Sequence, residues 1–85
     1  MSARRLVVLS RPDCELCTEL LALLEPYAAA GVVSVLIRDL AEQPLAVRER
    51  QQWRIPVVFD GDTELMWGRI DGEEVARVLG PVPAR

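Results

Sequence analysis

The first unbroken apolar run, Leu6-Val7-Val8-Leu9, predicts a strand buried on both faces. Arg11-Pro12-Asp13 interrupts it, and from Glu15 to Ala30 the chain turns rich in leucine and alanine. Leu16, Leu20, Leu23 and Tyr27 recur at helical spacing, with Leu24 widening the stripe, so this stretch predicts a helix with one buried face. Pro26 lies inside it and is expected to kink it, because proline removes one backbone donor and crowds residue Ala22. Gly31 is the expected stop. Val32 to Ile37, β-branched and apolar, predicts a second buried strand. Strand, helix and strand with short connections form a right-handed unit with two parallel strands.

Pro44 suits the first turn of a short helix reaching about Gln52, with Leu45, Val47 and Trp53 as its apolar positions. Trp53 is expected in the core or at its edge. Val57-Val58-Phe59, the turn signal Asp60-Gly61, and Thr63 to Trp67 predict a hairpin. Asp71 opens a last helix, with Glu74 at capping-box spacing and Val75, Val78 and Leu79 on its buried face, ended by Gly80-Pro81. The predicted order is β-α-β-α-β-β-α, a parallel half followed by an antiparallel half.

Composition narrows what such a domain can do. The 85 residues suffice for a single domain over 1–85, and 51% hydrophobic with 27% charged residues is a globular balance. With no histidine, a Ser-His-Asp triad, a Cys-His pair and imidazole zinc sites are excluded. Two cysteines alone neither close a four-ligand metal site nor build a multi-disulfide scaffold. A net charge of −3 argues against a nucleic-acid partner, since gripping phosphates needs a basic face. Arg4-Arg5 precedes an apolar run too short for an export signal or a membrane span, so a cytoplasmic, reducing location is expected. All ten cations are arginine, and no function follows from that.

The chemically pointed feature is Cys14-Glu15-Leu16-Cys17, at the junction of the first strand and first helix. Residues three apart at a helix start share a face, at a separation a disulfide can span. Free N–H groups and the positive end of the helix dipole stabilise a thiolate at Cys14 more than at Cys17. An exposed thiolate with a second thiol one turn behind it can carry out thiol–disulfide exchange. The plainer reading is two core-facing cysteines acting as small hydrophobes.

These segments together resemble the glutaredoxins, and in particular a small glutaredoxin-like branch of the thioredoxin-fold superfamily. Leu9-Ser10-Arg11-Pro12-Asp13-Cys14-Glu15-Leu16-Cys17 looks like a glutaredoxin active-site loop, with Arg11 where the family usually has lysine. Arg54-Ile55-Pro56-Val57 looks like the family's cis-proline segment, and Trp67-Gly68-Arg69-Ile70-Asp71 resembles the turn into its last helix. The resemblance spans residues 4–80. It implies a thioredoxin-like α/β fold, with a four-stranded mixed sheet flanked by helices.

It further implies Cys14 as nucleophile and Cys17 as buried resolving thiol. Pro56 would be cis and pack against the pair, leaving the Ile55 backbone free to pair with an extended thiol peptide. Arg11, Ile55, Pro56 and Asp71 are then the implied substrate or glutathione contacts. Asp71 would hold the ammonium of a γ-glutamyl group, although a plain N-cap role explains it equally well.

Two departures from the family pattern bear on strength. Asp13 and Glu15 flank Cys14 and Glu19 follows one turn on; these carboxylates oppose a thiolate, and Arg11 offsets them only in part. Trp67 replaces the first glycine of a usual pair and is expected to pack under the hairpin rather than cover a glutathione groove. Arg48, Glu49 and Arg50 read as the solvated face of the short helix.

The expected function is a monomeric thiol–disulfide oxidoreductase acting on a disulfide-containing protein or on glutathione. It would hold no permanent cofactor and no metal, take glutathione as a co-substrate, and bind neither nucleic acid nor membrane. The alternative is a binding module of the same fold with little turnover, bridging a metal or iron–sulfur cluster between two chains.

Overall fold

The computed structural model describes residues 3–84. Its elements follow the predicted order: β1 (Arg4–Ser10), α1 (Glu15–Ala29), β2 (Val33–Asp39), α2 (Leu45–Gln51), β3 (Val57–Asp60), β4 (Thr63–Trp67) and α3 (Gly72–Leu79). The four strands form one mixed sheet in the order β2-β1-β3-β4. β1 pairs in parallel with β2 and antiparallel with β3, and β3 pairs antiparallel with β4 across a register shift at Val58/Phe59. A single turn of 3-10 helix, Leu40–Glu42, follows β2 and was not expected; the Asp39 carboxylate caps it by accepting the Ala41 N–H at 2.9 Å.

Strand alternation divides the core in two. Leu6 and Val8 of β1 meet Val33, Val58 and Met66 on one face, where Leu20, Leu24 and Tyr27 of α1 and Val75 of α3 cover them. Leu9 and Val57 point to the opposite face and meet Cys17, Leu40 and Ile55. The Tyr27 hydroxyl donates to the Gly80 carbonyl at 2.8 Å, tying α1 to the end of α3. No helix among the described residues is long and apolar enough to cross a membrane.

Several expectations need correction. The buried seam of α1 is Cys17, Leu20, Leu24 and Tyr27, rotated from the expected Leu16-Leu20-Leu23-Tyr27 stripe; Leu16 and Leu23 are only half-buried. Cys17 takes the first place in the seam, a position the leucine pattern had hidden. The extent of the helix needs no correction: it runs past Pro26 to Ala29, and the Ala22 carbonyl deprived of its donor belongs to an exposed residue, within reach of water. β2 is not a buried strand. It lies at the sheet edge, and Leu36 and Ile37 remain 48% and 53% exposed.

The α2 face is also different. Leu45 is exposed, Val47 half-buried, and the fully buried position is Gln51. Trp53 is 86% exposed in the connection after α2, outside both the core and its edge.

Candidate active site

β1 runs through the centre of the sheet and delivers the chain to the start of α1. The turn between them needs one residue in the left-handed region. Asp13 supplies it at φ 55°, a conformation Asp tolerates better than most residues. Cys14 then takes an extended conformation as N-cap, and its Sγ accepts the Cys17 N–H at 3.2 Å. The Cys14 carbonyl accepts the Thr18 N–H at 3.1 Å and its hydroxyl at 3.2 Å, which fixes the first turn.

Cys14 and Cys17 are joined in a disulfide with their Cα atoms 5.2 Å apart. The two sulfurs are not equivalent. Cys14 is half-buried at the helix end, while Cys17 is 3% exposed, inside the cluster of Leu9, Leu40, Ile55 and Val57. When the bond is reduced, negative charge at Cys14 Sγ meets the Cys17 N–H and the positive end of the helix dipole. Charge at Cys17 would meet apolar side chains.

The peptide bond between Ile55 and Pro56 is cis, and both residues are buried. Ile55 belongs to the cluster holding Cys17, with Cys14 packed against it, so the structure brings Cys14, Cys17 and Ile55 together, and Pro56 follows Ile55 in the chain. The Pro56 carbonyl accepts the Gly68 N–H at 2.8 Å, but Ile55 itself makes no hydrogen bond among the described residues. Gly68 sits at φ 75°, which a side chain would strain.

The two charged residues expected at the site lie apart from each other. Arg11 is exposed and donates to the Gln52 carbonyl at 3.4 Å, in a groove of about 370 Å³ shared with Pro12, Leu40, Leu45 and Arg48. Asp71 lines a different groove, about 530 Å³, with Glu19, Ala22, Leu23 and Arg69. Its Oδ1 accepts the Glu74 N–H at 2.8 Å, so its N-cap role is filled. Neither cysteine lines either groove.

Sequence reasoning missed a polar cluster beside the cis-proline. Arg54 Nη1 donates to Gln51 Oε1 at 3.0 Å and to Glu64 Oε1 at 2.7 Å, and Nη2 donates to Glu64 Oε2. The guanidinium carbon stacks 4.5 Å from the centre of the Trp67 ring. Trp67 is therefore half-exposed beneath an arginine, rather than packed under the hairpin. These four side chains clamp the residue before Ile55 to β4. The only sequence signal was an arginine and a glutamate ten positions apart, which the hairpin brings together.

The hydrogen bonds from Arg54, reinforced by its charge, hold the Glu64 carboxyl below its usual pKa against the opposing effect of burial, and Arg54 is correspondingly raised. A carboxyl whose pKa is lower folded than unfolded contributes stability above the unfolded value and loses it as pH falls through the folded one. Acidification below the ordinary glutamate range is thus expected to release Arg54 and change Trp67 fluorescence. Glu64→Gln should remove that acid-side transition, and an unchanged fluorescence titration in the variant would refute the clamp.

A family model described as "Glutaredoxin-like domain (DUF836)" matches residues 5–80. Among solved structures, the chain resembles target protein XcR50 from X. campestris at 20% identity and a TM-score of 0.69, covering 85% of this chain and 91% of that one. It resembles protein Ne2328 from Nitrosomonas europaea at 24% identity and a TM-score of 0.67, covering 93% and 94%. It also resembles the glutaredoxin (grx-1) from Archaeoglobus fulgidus at 15% identity and a TM-score of 0.59, covering 89% and 85%. At these identities the three likenesses bear on the fold. No curated protein matches the chain.

Proposed function

The chain belongs to the glutaredoxin-like domain family, and from that premise we propose that it is a thiol–disulfide oxidoreductase working through the Cys14–Cys17 pair. The observation that carries the reading is the asymmetry of the pair. One sulfur receives a backbone N–H at a helix end, and its partner is buried one turn behind.

In the reduced protein the Cys14 thiolate attacks one sulfur of a substrate disulfide. A bond forms between Cys14 Sγ and that sulfur, the substrate's S–S bond breaks, and the departing thiolate takes a proton from water. Cys17, deprotonated by solvent as the mixed disulfide opens the site, then attacks Cys14 Sγ and releases the second substrate thiol. The substrate disulfide gains two electrons and the pair is left as the disulfide. Two equivalents of a small thiol such as glutathione, themselves oxidised to a disulfide, return the pair to the dithiol.

The free backbone of Ile55 offers an extended substrate segment a pairing edge beside the cysteines. Arg11 and Asp71 supply opposite charges for the ends of glutathione, from separate grooves. The flanking carboxylates Asp13 and Glu15 act against an anionic substrate, so a protein disulfide suits the site better than glutathione disulfide.

Equilibration across a glutathione redox series, followed by acid trapping and alkylation, tests the reading. The expected result is one reversible two-electron transition between a doubly alkylated protein and one with neither thiol labelled. A pair that stays reduced over the whole series would overturn the proposal. Protein purified with bound iron would support the binding-module alternative instead.

A further inference from the structure

We infer that the open edge of β2 is a self-association surface, on which a second copy of this chain pairs antiparallel about a two-fold axis through Leu36. The edge is long, with an apolar middle. β2 has seven residues and one neighbouring strand, β1, and Val32, Leu36 and Ile37 at this edge are 37%, 48% and 53% exposed. Soluble proteins usually blunt such an edge with charged side chains, proline or a bulge; β2 carries charges only at its end, Arg38 and Asp39, and none of these devices over Val33 to Ile37.

Backbone geometry fixes which groups are available. The Arg4 N–H donates to the Val32 carbonyl at 3.1 Å, and Arg4 lies opposite Val33 in the parallel register. Continuing that register turns the N–H and C=O of Ser34, Leu36 and Arg38 toward β1. Those of Val33, Val35 and Ile37 point to the open edge, without a strand to pair with among the described residues.

The sequence of β2 is self-complementary when read against its own reverse. With Leu36 on the two-fold axis, Val35 lies opposite Ile37 of the second copy, and Ile37 opposite Val35. Both are residues whose backbone groups face outward, so each pair closes a full set of antiparallel hydrogen bonds. Leu36 meets its own copy in a non-hydrogen-bonded pair, where side chains approach most closely. Arg38 meets Ser34 and Asp39 meets Val33, so no like charges oppose each other. Moving the axis to Val35 would set Leu36 against Ser34, moving it to Ile37 would set Leu36 against Arg38, and moving it to Arg38 would set that arginine against itself.

The surroundings fit the same occupant. Beside the edge, Leu21, Leu24, Glu25 and Ala28 of α1 form a groove of about 230 Å³ with Val35 and Ile37. The second copy's Ile37, opposite Val35, would border that groove with apolar surface. The result is one continuous eight-stranded sheet. β1 is parallel to β2 and the two copies of β2 run antiparallel, so the two cysteine pairs lie at opposite ends and both remain accessible.

Sedimentation equilibrium of the full chain under reducing conditions, up to high micromolar concentration, tests this. The expected mass is about twice the 9.5 kDa of one chain. Leu36→Lys and Leu36→Glu, each at a half-exposed position and checked for folding by circular dichroism, should each be monomeric. Their equimolar mixture should regain the dimer, because only this register places residue 36 against itself. Ile37→Pro removes an outward N–H that β1 does not use, and should also be monomeric. A wild-type chain that stays monomeric, a Leu36→Lys chain that dimerises like wild type, or a mixture that does not associate would each overturn the inference.

Discussion

A Cys14→Ser variant is expected to lose all measurable reduction of a small neutral disulfide such as bis(2-hydroxyethyl) disulfide, while keeping its fold. The two halves of that outcome have separate causes. Serine has no accessible thiolate and forms no mixed disulfide, so the proposed first step has no nucleophile. Serine is also a favoured N-cap, and its hydroxyl can accept the Cys17 N–H that Cys14 Sγ accepts at 3.2 Å. The variant should therefore melt close to the reduced wild-type protein. Retained disulfide reduction would remove Cys14 from the proposed mechanism. A collapse in stability would mean that the residue serves the fold first.

The second large effect lies in the core. Leu24 is 1% exposed and belongs to the cluster in which α1 meets the sheet. Leu24→Ala removes buried methyl groups and leaves a cavity, at a cost of about 2–5 kcal/mol. Total stability for a domain of this size is on the order of 5–10 kcal/mol, so one substitution removes a large share. The denaturation midpoint in urea should fall steeply. Leu45→Ala, at a 60% exposed position on α2, should shift it little. Equal shifts for the two would contradict the assignment of the core to the α1 face of the sheet.

Element order and the cysteine motif were legible because both are local. Alternation, capping residues and Gly/Pro stops marked the strands and α1, and the helix start placed Cys14 at its N-cap as expected. The cis Ile55–Pro56 bond was legible only through family resemblance. What local pattern could not supply was position within the sheet. Val33-Ser34-Val35-Leu36-Ile37 reads as a central strand, yet its place at the edge is set by which strands pair with β1.

The α1 seam was misread for a related reason. Leucines at 16, 20, 21, 23 and 24 allow more than one stripe, and Cys17 counted as chemistry although it also packs in the core. Trp53 counted as core or edge, but it falls in the connection after α2 and stays 86% exposed between the buried Gln51 and Ile55. The Arg54–Glu64 clamp depends on the β3–β4 register and its shift at Val58/Phe59, which no local window contains.

The claim that Cys14 attacks and Cys17 resolves is tested most directly by comparing the two single-cysteine variants in their first reaction with bis(2-hydroxyethyl) disulfide. Cys17→Ser leaves a half-buried sulfur at the helix end, while Cys14→Ser leaves one that is 3% exposed. Reaction of the buried thiol requires local opening, so adduct formation measured by mass spectrometry should be at least about a hundredfold faster for Cys17→Ser. Equal rates, or a faster reaction at Cys17, would contradict the account.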